Sequence, residues 1–282
     1  MNDFHNLNDW LGRVSEADDT VAAAAVKAMS ATLDRDDPHP VAGDALPPLW
    51  HWLYFLPSDP QSAIGADGHP KRGGFLPPVP LPRRMWAGGR LEFQQPLRVG
   101  QSVQRSSRIA DIRSKQGRSG ALVFVCVRHQ ILGEGGVALT EEHDIVYREA
   151  AQPGAATEPS QTAPTDEQFL RTIVPDPVLL FRYSALTFNG HRIHYDRSYA
   201  TQVEGYPGLV VHGPLIATLL ADLLRRQRPD ARLARFAFKA INPLFDTAPF
   251  TLCGRFDESH HATLWARGPQ GQLAMQASAT LA

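Results

Sequence analysis

The sequence predicts an α+β fold made of two similar units in tandem, each a curved antiparallel sheet wrapped around a central helix. Three observations carry this expectation. Alternating apolar and polar stretches fall into two sets of four, with Gly- or Pro-containing breaks between them. A wide helical stripe of leucines precedes the second set. A short polar pattern recurs at one offset: Thr32, Asp34 and His39 lie 155 positions before Thr187, Asn189 and His194.

The first set of strands is RLEFQQPLRVG, SVQRSSRIADIRSK, ALVFVCVRHQIL and VALTEEHDIVYR, with turns at KQGRSG and GEGG. Ahead of it, PPLWHWLYFLP (47–57), bounded by prolines, stands where the helix of the first unit is expected. Residues 149–165, EAAQPGAATEPSQTAPT, contain no large apolar side chain and have the composition of a linker. The predicted division is a first unit over 1–148, a linker over 149–172 and a second unit over 173–282. In the second unit, VLLFRYSAL is expected to be a strand that ends by presenting polar groups. HGPLIATLLADLLRR follows as a helix, with Leu215, Ile216, Leu219, Leu220, Leu223 and Leu224 on one broad face. Pro214 suits its first turn, and Arg225 and Arg226 its last. ARFAFKAINPLF, FTLCGRF, ATLWARG and QLAMQASATL are the remaining strands. A helix buries its apolar face only against a second layer, here the inner face of a sheet.

Composition excludes several function classes. Apolar residues make up 43% of the 282, which is globular rather than disordered. A formal net charge of −1 offers no electrostatic case for nucleic acid or an anionic membrane. The opening MNDFHNLNDW is not a basic apolar leader, and no run approaches the roughly 20 apolar residues of a membrane span. Cys126 and Cys253 sit in apolar alternating runs and are expected as buried thiols. A cytoplasmic protein is expected, and self-association is left open.

The segment TFNGHRIHYD concentrates two histidines, an arginine, an asparagine and an aspartate in ten residues. With its flanks, FRYSALTFNGHRIHYDRSYATQVEGYPGLVVHGPLIATLL resembles the MaoC-like hydratases of the hotdog fold. Their motif runs Asp-x-Asn-Pro-x-His-x-Asp, then Ala and Gly, then His-Gly at the start of the central helix. Asn189 takes the first Asp position, His194 the His and Asp196 the last Asp; Ala200, Gly205, His212 and Gly213 take the later places. PPLWHWLYFLP, DGHPKRGGFLPPVPLPRRMWAGG and LTEEHDIVYRE are similar to the subgroup of itaconyl-CoA and mesaconyl-CoA hydratases and mitochondrial hydroxyacyl-thioester dehydratases.

The resemblance implies reversible hydration of an enoyl-CoA thioester, with acyl-CoA as the partner and neither metal nor other cofactor. Such chemistry needs a base for water, an acid for the α-carbon and donors for the enolate oxygen. His194 is expected as the base, Asn189 as the amide that holds the water, and the Gly213 N–H as the enolate donor at a helix N-terminus. Asn189 cannot accept a proton at neutral pH. Either His194 carries both transfers through one water, or another group, His191 being nearest, supplies the acid.

Asp196 is expected to cap the short helix beginning RSYATQ, and His212 to brace the turn before the long helix. The HRIH spacing with His212 would suit a metal, but no acidic or thiolate partner lies at metal-like spacing, so none is expected. Asp34 and His39 read as an exposed turn. A dicarboxylic acyl group would need a guanidinium. Arg192, Arg83 and Arg84 are the candidates, CoA phosphate or solvent being their other use, with Trp86 lining the pocket. Lys71 and Arg72, beside Gly73 and Gly74, suit CoA phosphates. Itaconyl-CoA (to citramalyl-CoA) or mesaconyl-CoA is the first expectation and a straight-chain 3-hydroxyacyl thioester the second. A hotdog thioesterase and a non-catalytic acyl-CoA binder are the other classes.

Overall fold

A computed structural model describes residues 5–117, 120–149, 160–257 and 260–282. Among these, ten strands form one sheet: β1 (Val14–Thr20), β2 (Arg83–Phe93), β3 (Ser102–Gly117), β4 (Gly120–Gly133), β5 (Gly136–Arg148), β6 (Phe169–Ile173), β7 (Leu233–Ala240), β8 (Phe250–Phe256), β9 (His261–Arg267) and β10 (Leu273–Leu281). Their spatial order is β1-β3-β4-β5-β2-β7-β10-β9-β8-β6, so each half repeats the other in mirror order. Every pairing is antiparallel. The linker predicted over 149–172 includes residues 150–159, which lie outside the described residues.

The halves join where β2 pairs with β7, Gly88 opposite Lys239 and Gly89 opposite Phe238. A Cβ on Gly88 would lie 2.6 Å from the Phe238 carbonyl oxygen, so only glycine lets the two backbones close here. This gives the AGG run a structural reason.

The offset of 155 extends beyond the polar pattern. It carries the start of β1 onto that of β6, and the last residue of α1 (Ala23–Thr32) onto that of α2 (Pro177–Thr187). Each of those helices ends on a threonine whose hydroxyl donates to the carbonyl four residues back, Ala28 at 2.7 Å and Tyr183 at 2.8 Å.

Two local expectations are corrected. VLLFRYSAL is not a strand but most of α2. The Asp176 carboxylate accepts from the N–H groups of Val178 and Leu179 (2.8 and 2.9 Å), and Pro177 occupies the first turn, so a capped start outweighs the run's strand-like composition. PPLWHWLYFLP forms only a single 3₁₀ turn, Trp50–Leu53, entered through Leu49 at φ 68°. The first unit's α-helix among the described residues is the alanine-rich α1, the counterpart of α2 rather than of a central helix, and its pattern is too uniformly apolar to announce a face.

The long helix α3 (Gly213–Gln227) lies on β8, β9 and β10. The leucine stripe is buried as its spacing implies, and Ala217, Thr218, Ala221 and Asp222 are buried with it. Burying each such leucine contributes about 1.5–3 kcal/mol. Asp222 is 3% exposed and receives Arg35 (2.7 Å) from the first half, Arg171 (3.1 Å) from β6 and Arg226 (2.8 Å) from its own helix. Cys126 and Cys253 are free thiols. No helix among the described residues is long and apolar enough to cross a membrane.

Candidate active site

The site lies at the N-terminus of α3, where the polar segment after α2 folds back onto it. Phe188 takes a left-handed conformation (φ 49°) and ends α2, and the Asn189 N–H donates to Ser184 O at 2.8 Å. Asn189 Oδ1 accepts the His191 N–H at 3.0 Å, closing a turn. A 3₁₀ turn over Arg192–His194 then carries His194 inward, to 7% exposure.

His194 Nδ1 lies 2.7 Å from the carbonyl oxygen of Val210, which only accepts. Nδ1 is therefore the protonated nitrogen, and Nε2 carries the lone pair. Burial lowers His194 to about 4, so the ring is neutral at pH 7 and able to accept a proton. Its face stacks on His212, with centroids 3.7 Å apart and planes at 18°. His212 is fully buried, bonded through Nε2 to Ser184 Oγ at 2.8 Å, and its Nδ1 has no partner. Desolvation drives it well below the ordinary histidine value. It occupies the N-cap position of α3, and Gly213 follows as the first helical residue. The Gly213 N–H thus belongs to the unsatisfied first turn, at the positive end of the helix. The nearest atom to a Cβ built there is the Trp86 carbonyl oxygen, 3.8 Å away, which puts β2 beside the site.

Asp196 performs the capping expected of it: Oδ1 accepts from Ser198 Oγ (2.8 Å) and the Tyr199 N–H (3.0 Å). These bonds and Arg192 bring it down to about 2. Arg192 is committed to Asp196 (2.7 Å) and to the Ala66 carbonyl (3.1 Å), with its guanidinium over Tyr199. Arg83 is committed to Glu204, 3.0 Å from its carbonyl, and lies over Tyr206. Arg84, opposite Tyr147 in the β2–β5 register, is near enough to His69 for its charge to oppose protonation there. Lys71 and Arg72 donate to backbone carbonyls of their own loop, Lys71 to Ser62 and Arg72 to Val79 and Pro82. Asp34 and His39 are exposed, as their sequence suggests.

The structure also brings in a group that the sequence left unassigned. Residues 64–70 fold into a tight loop, with Ile64 bridged to Pro70, and dock on the segment that carries His191 and Arg192. The Arg192 N–H donates to Asp67 O at 2.9 Å. Asp67 Oδ1 accepts the His69 N–H and Oδ2 faces His69 Nδ1, both at 3.0 Å. The His69 ring lies 4.0 Å from the His191 ring, and His191 lies 5.4 Å from His194 at right angles. Burial and the neighbouring imidazoles bring His191 to about 2. No acidic partner lies at metal-like sequence spacing from HRIH, but the fold brings Asp67 in from the other unit. Asp67, His69 and His191 offer ligand atoms within 4.8 Å of one another and are the residues placed to hold a cation. The signal in sequence was the Asp-Gly-His spacing, in which glycine lets the aspartate reach back to the histidine.

Behind the site, Trp86 meets Trp52 edge-on at 5.0 Å and lies over His143 at 3.9 Å. Beneath them the Glu141 carboxylate, 2% exposed, accepts from Trp52 Nε1 (2.8 Å) and bonds His51 Nε2 (2.9 Å). His143 and His51 hold the carboxyl well below its usual range despite burial. The WHWLYF segment is therefore a buried wall with a polar underside.

Residues 49–246 match the family described as hydroxyacyl-thioester dehydratase type 2. The chain is 50% identical over 274 residues, 96% of each sequence, to a mesaconyl-C(4)-CoA hydratase of Chloroflexus aurantiacus. It is 30% identical over 237 residues, 74% of this chain and 77% of the relative, to the mitochondrial hydroxyacyl-thioester dehydratase type 2 of Schizosaccharomyces pombe. Among solved structures, a MaoC-like dehydratase from Phytophthora capsici superposes with a TM-score of 0.67 at 13% identity, over 99% of both chains. A Mycobacterium tuberculosis protein described as a double hotdog superposes with a TM-score of 0.57 at 12% identity, over 96% of both. The double hotdog architecture and these matches place the chain in the hydroxyacyl-thioester dehydratase type 2 family of MaoC-like hydro-lyases.

Proposed function

We propose that this protein adds water reversibly to the double bond of an enoyl-CoA thioester whose acyl group carries a second carboxylate, mesaconyl-CoA or itaconyl-CoA. The observation that carries the reaction is His194: a buried, neutral imidazole with Nδ1 tied to Val210 and Nε2 free. In this reading His194 takes a proton from water. The Gly213 N–H then steadies the charge that develops on the thioester oxygen, a contribution of about 3–4 kcal/mol in comparable oxyanion sites. Asn189 orients the water through Nδ2, and CoA is part of the substrate rather than a bound cofactor.

Two observations support a dicarboxylic acyl group. The 50%-identical relative is a mesaconyl-C(4)-CoA hydratase. Of the three arginines considered, Arg192 and Arg83 are held by Asp196 and Glu204, whereas Arg84 stands near the histidine cluster. Arg84 is the assigned clamp for the distal carboxylate, since its planar fork suits bidentate pairing. The mitochondrial dehydratase relatives and the Trp52–Trp86 wall favour a straight-chain hydroxyacyl thioester as the second reading.

The experiment is mass spectrometry of the purified protein with mesaconyl-CoA, itaconyl-CoA and crotonyl-CoA, beside His194→Ala and Arg84→Gln. Gain of one water on a dicarboxylic substrate, lost in His194→Ala, is expected. Arg84→Gln should raise KM for that substrate by about tenfold or more, one charge-assisted bond's worth, and leave crotonyl-CoA unchanged. Water gained on crotonyl-CoA alone would move the assignment to the straight-chain dehydratase. Release of free CoA would mean a thioesterase, and binding without turnover a non-catalytic acyl-CoA binder.

A further inference from the structure

The charged groups nearest the site are mostly matched within the fold: Arg192 holds Asp196 and Arg83 holds Glu204. The exception sits where the 64–70 loop of the first unit meets the segment after α2. His69 spends Nδ1 on Asp67, and its Nε2 has no hydrogen-bond partner among the described residues. Neither ring nitrogen of His191 has one either. Both rings are half-buried and lie 4.0 Å apart. A neutral imidazole offers one lone pair, so the cluster presents two nitrogen lone pairs beside a carboxylate.

We propose that Asp67, His69 and His191 form a binding site for one divalent transition ion of the Zn²⁺ class, which fastens the 64–70 loop of the first unit to the segment that follows α2. One ligand atom from each residue lies within 4.8 Å of the other two, and Asp67 Oδ2 and His69 Nδ1 are already 3.0 Å apart. Bonds of about 2.0–2.1 Å at tetrahedral angles set donors about 3.3 Å apart, so the widest pair has to close by no more than about 1.5 Å. Side-chain rotation supplies that, because the backbone on both sides is already fixed. The Gly65 N–H donates to His69 O at 2.7 Å, and the Arg192 N–H donates to Asp67 O at 2.9 Å. Gly68 meets Gly190 backbone to backbone. The side chains of Asp67 and His69 are 43% and 24% exposed, so an ion reaches them from solvent.

Donor chemistry selects the ion. Two imidazoles and one carboxylate suit Zn²⁺ and its neighbours in the transition series, whereas Mg²⁺ and Ca²⁺ prefer oxygen throughout. Three protein donors leave the fourth position to water. The surrounding charges set the affinity. Arg72 and Arg84 oppose positive charge at His69, and the Asp67 carboxylate offsets one of them. Arg72 is held by the carbonyls of Val79 and Pro82. With three donors and that repulsion, a dissociation constant of about 1 µM is expected, weaker than a closed four-donor site. His194, Asn189 and Gly213 give the ion no donor. Its effect falls on the loop, which it ties to His191 across the boundary between the units, with His194 standing edge-on at 5.4 Å.

The test uses the full-length protein freed of any affinity tag, with Co²⁺ and Zn²⁺ as probes. Co²⁺ should bind at one equivalent per chain with the visible absorption of a four-coordinate ion, and Zn²⁺ should displace it. Zn²⁺ at about 100 times its dissociation constant should raise the melting temperature by several degrees. Asp67→Asn, His69→Gln and His191→Gln should each weaken Co²⁺ binding about tenfold or more. His39→Gln, at an exposed histidine outside the cluster, should leave it unchanged. X-ray absorption of the Zn²⁺-loaded wild type needs no variant fold and should show two imidazoles at about 2.0–2.1 Å. Less than one equivalent bound at about 1 mM Co²⁺ would overturn the site. So would fewer than two imidazoles on Zn²⁺, an unmoved melting temperature, or three cluster variants that bind as the wild type does. None of these readouts uses turnover, so they judge the ion site even if the protein hydrates no enoyl-CoA at all.

Discussion

Replacing Gly68 with alanine tests whether the first unit's loop completes the site. Gly68 has φ +90°, and a Cβ there would stand 1.8 Å from Gly190 O and 2.7 Å from Gly190 C. Both are backbone atoms, so no rotamer relieves the overlap. The two segments must separate until that contact reaches at least 3.4 Å, the ordinary van der Waals limit. A misplacement of about 1 Å at a catalytic constellation can lower the rate about 10²-fold, or about 2.7 kcal/mol in the barrier. The positive φ itself costs alanine about 1–2 kcal/mol, and this part is separable. Gly43 has φ +92° with nothing within 4 Å, so Gly43→Ala reports the strain alone. Turnover of the accepted enoyl-CoA and urea unfolding would be measured for both variants. Gly68→Ala should lose about 10²-fold in kcat, Gly43→Ala almost nothing, and their stabilities should agree within about 2 kcal/mol because the loop swings clear. A Gly68→Ala enzyme within threefold of wild type would refute the view that this docking matters to the chemistry.

Three further outcomes follow from the packing and charges. Asp222→Ala leaves Arg35, Arg171 and Arg226 without their shared carboxylate and should cost about 3–5 kcal/mol in urea unfolding; a loss below about 1 kcal/mol would contradict the assignment. Acid should weaken the fold through the buried histidines. His194 sits at about 4 against an ordinary 6.5, so between those values the unfolded chain binds the extra proton and stability falls as pH falls, by up to about 1.4 kcal/mol per pH unit. Thermal unfolding from pH 7 to 5 should show a shallower loss in His194→Gln than in wild type, and equal slopes would count against a buried neutral ring. Gly88→Ala would push its Cβ to 2.6 Å from the Phe238 carbonyl oxygen, so the β2–β7 seam should open and the melting temperature drop by several degrees; an unchanged melting temperature would show that the seam tolerates a methyl group.

Much of this protein was legible from residue order alone, where the determining forces are local. The period-2 runs became β3–β5 and β7–β10, and the leucine spacing became α3, because side-chain direction along a strand or helix follows from backbone geometry; of the run RLEFQQPLRVG only RLEF is strand, the end of β2. The motif around His194 and Gly213 was equally readable, since a cap, a turn and a helix start lie within a few dozen residues of one another. VLLFRYSAL failed as a strand because its fate rested on the single cap at Asp176 rather than on its own composition. PPLWHWLYFLP failed as a helix because Leu49 (φ 68°) and Phe55 (φ 55°) take left-handed conformations on either side of it and leave only the turn Trp50–Leu53 between them.

Only the tertiary structure decided what stands beside His194. Ala66 and Arg192 are 126 positions apart, and nothing in either segment announces the other. The approach depends on β2 pairing with β7, on two glycines thin enough to touch at 68 and 190, and on the guanidinium of Arg192 crossing between units. It also separated three arginines that look alike in sequence, tying Arg192 to Asp196 and Arg83 to Glu204 while setting Arg84 beside the histidines. Periodicity and capping are properties of neighbouring residues, so the chain carries them openly. Which charges meet across a sheet seam depends on loop closure and register over the whole molecule, and that emerges only when the two units pack.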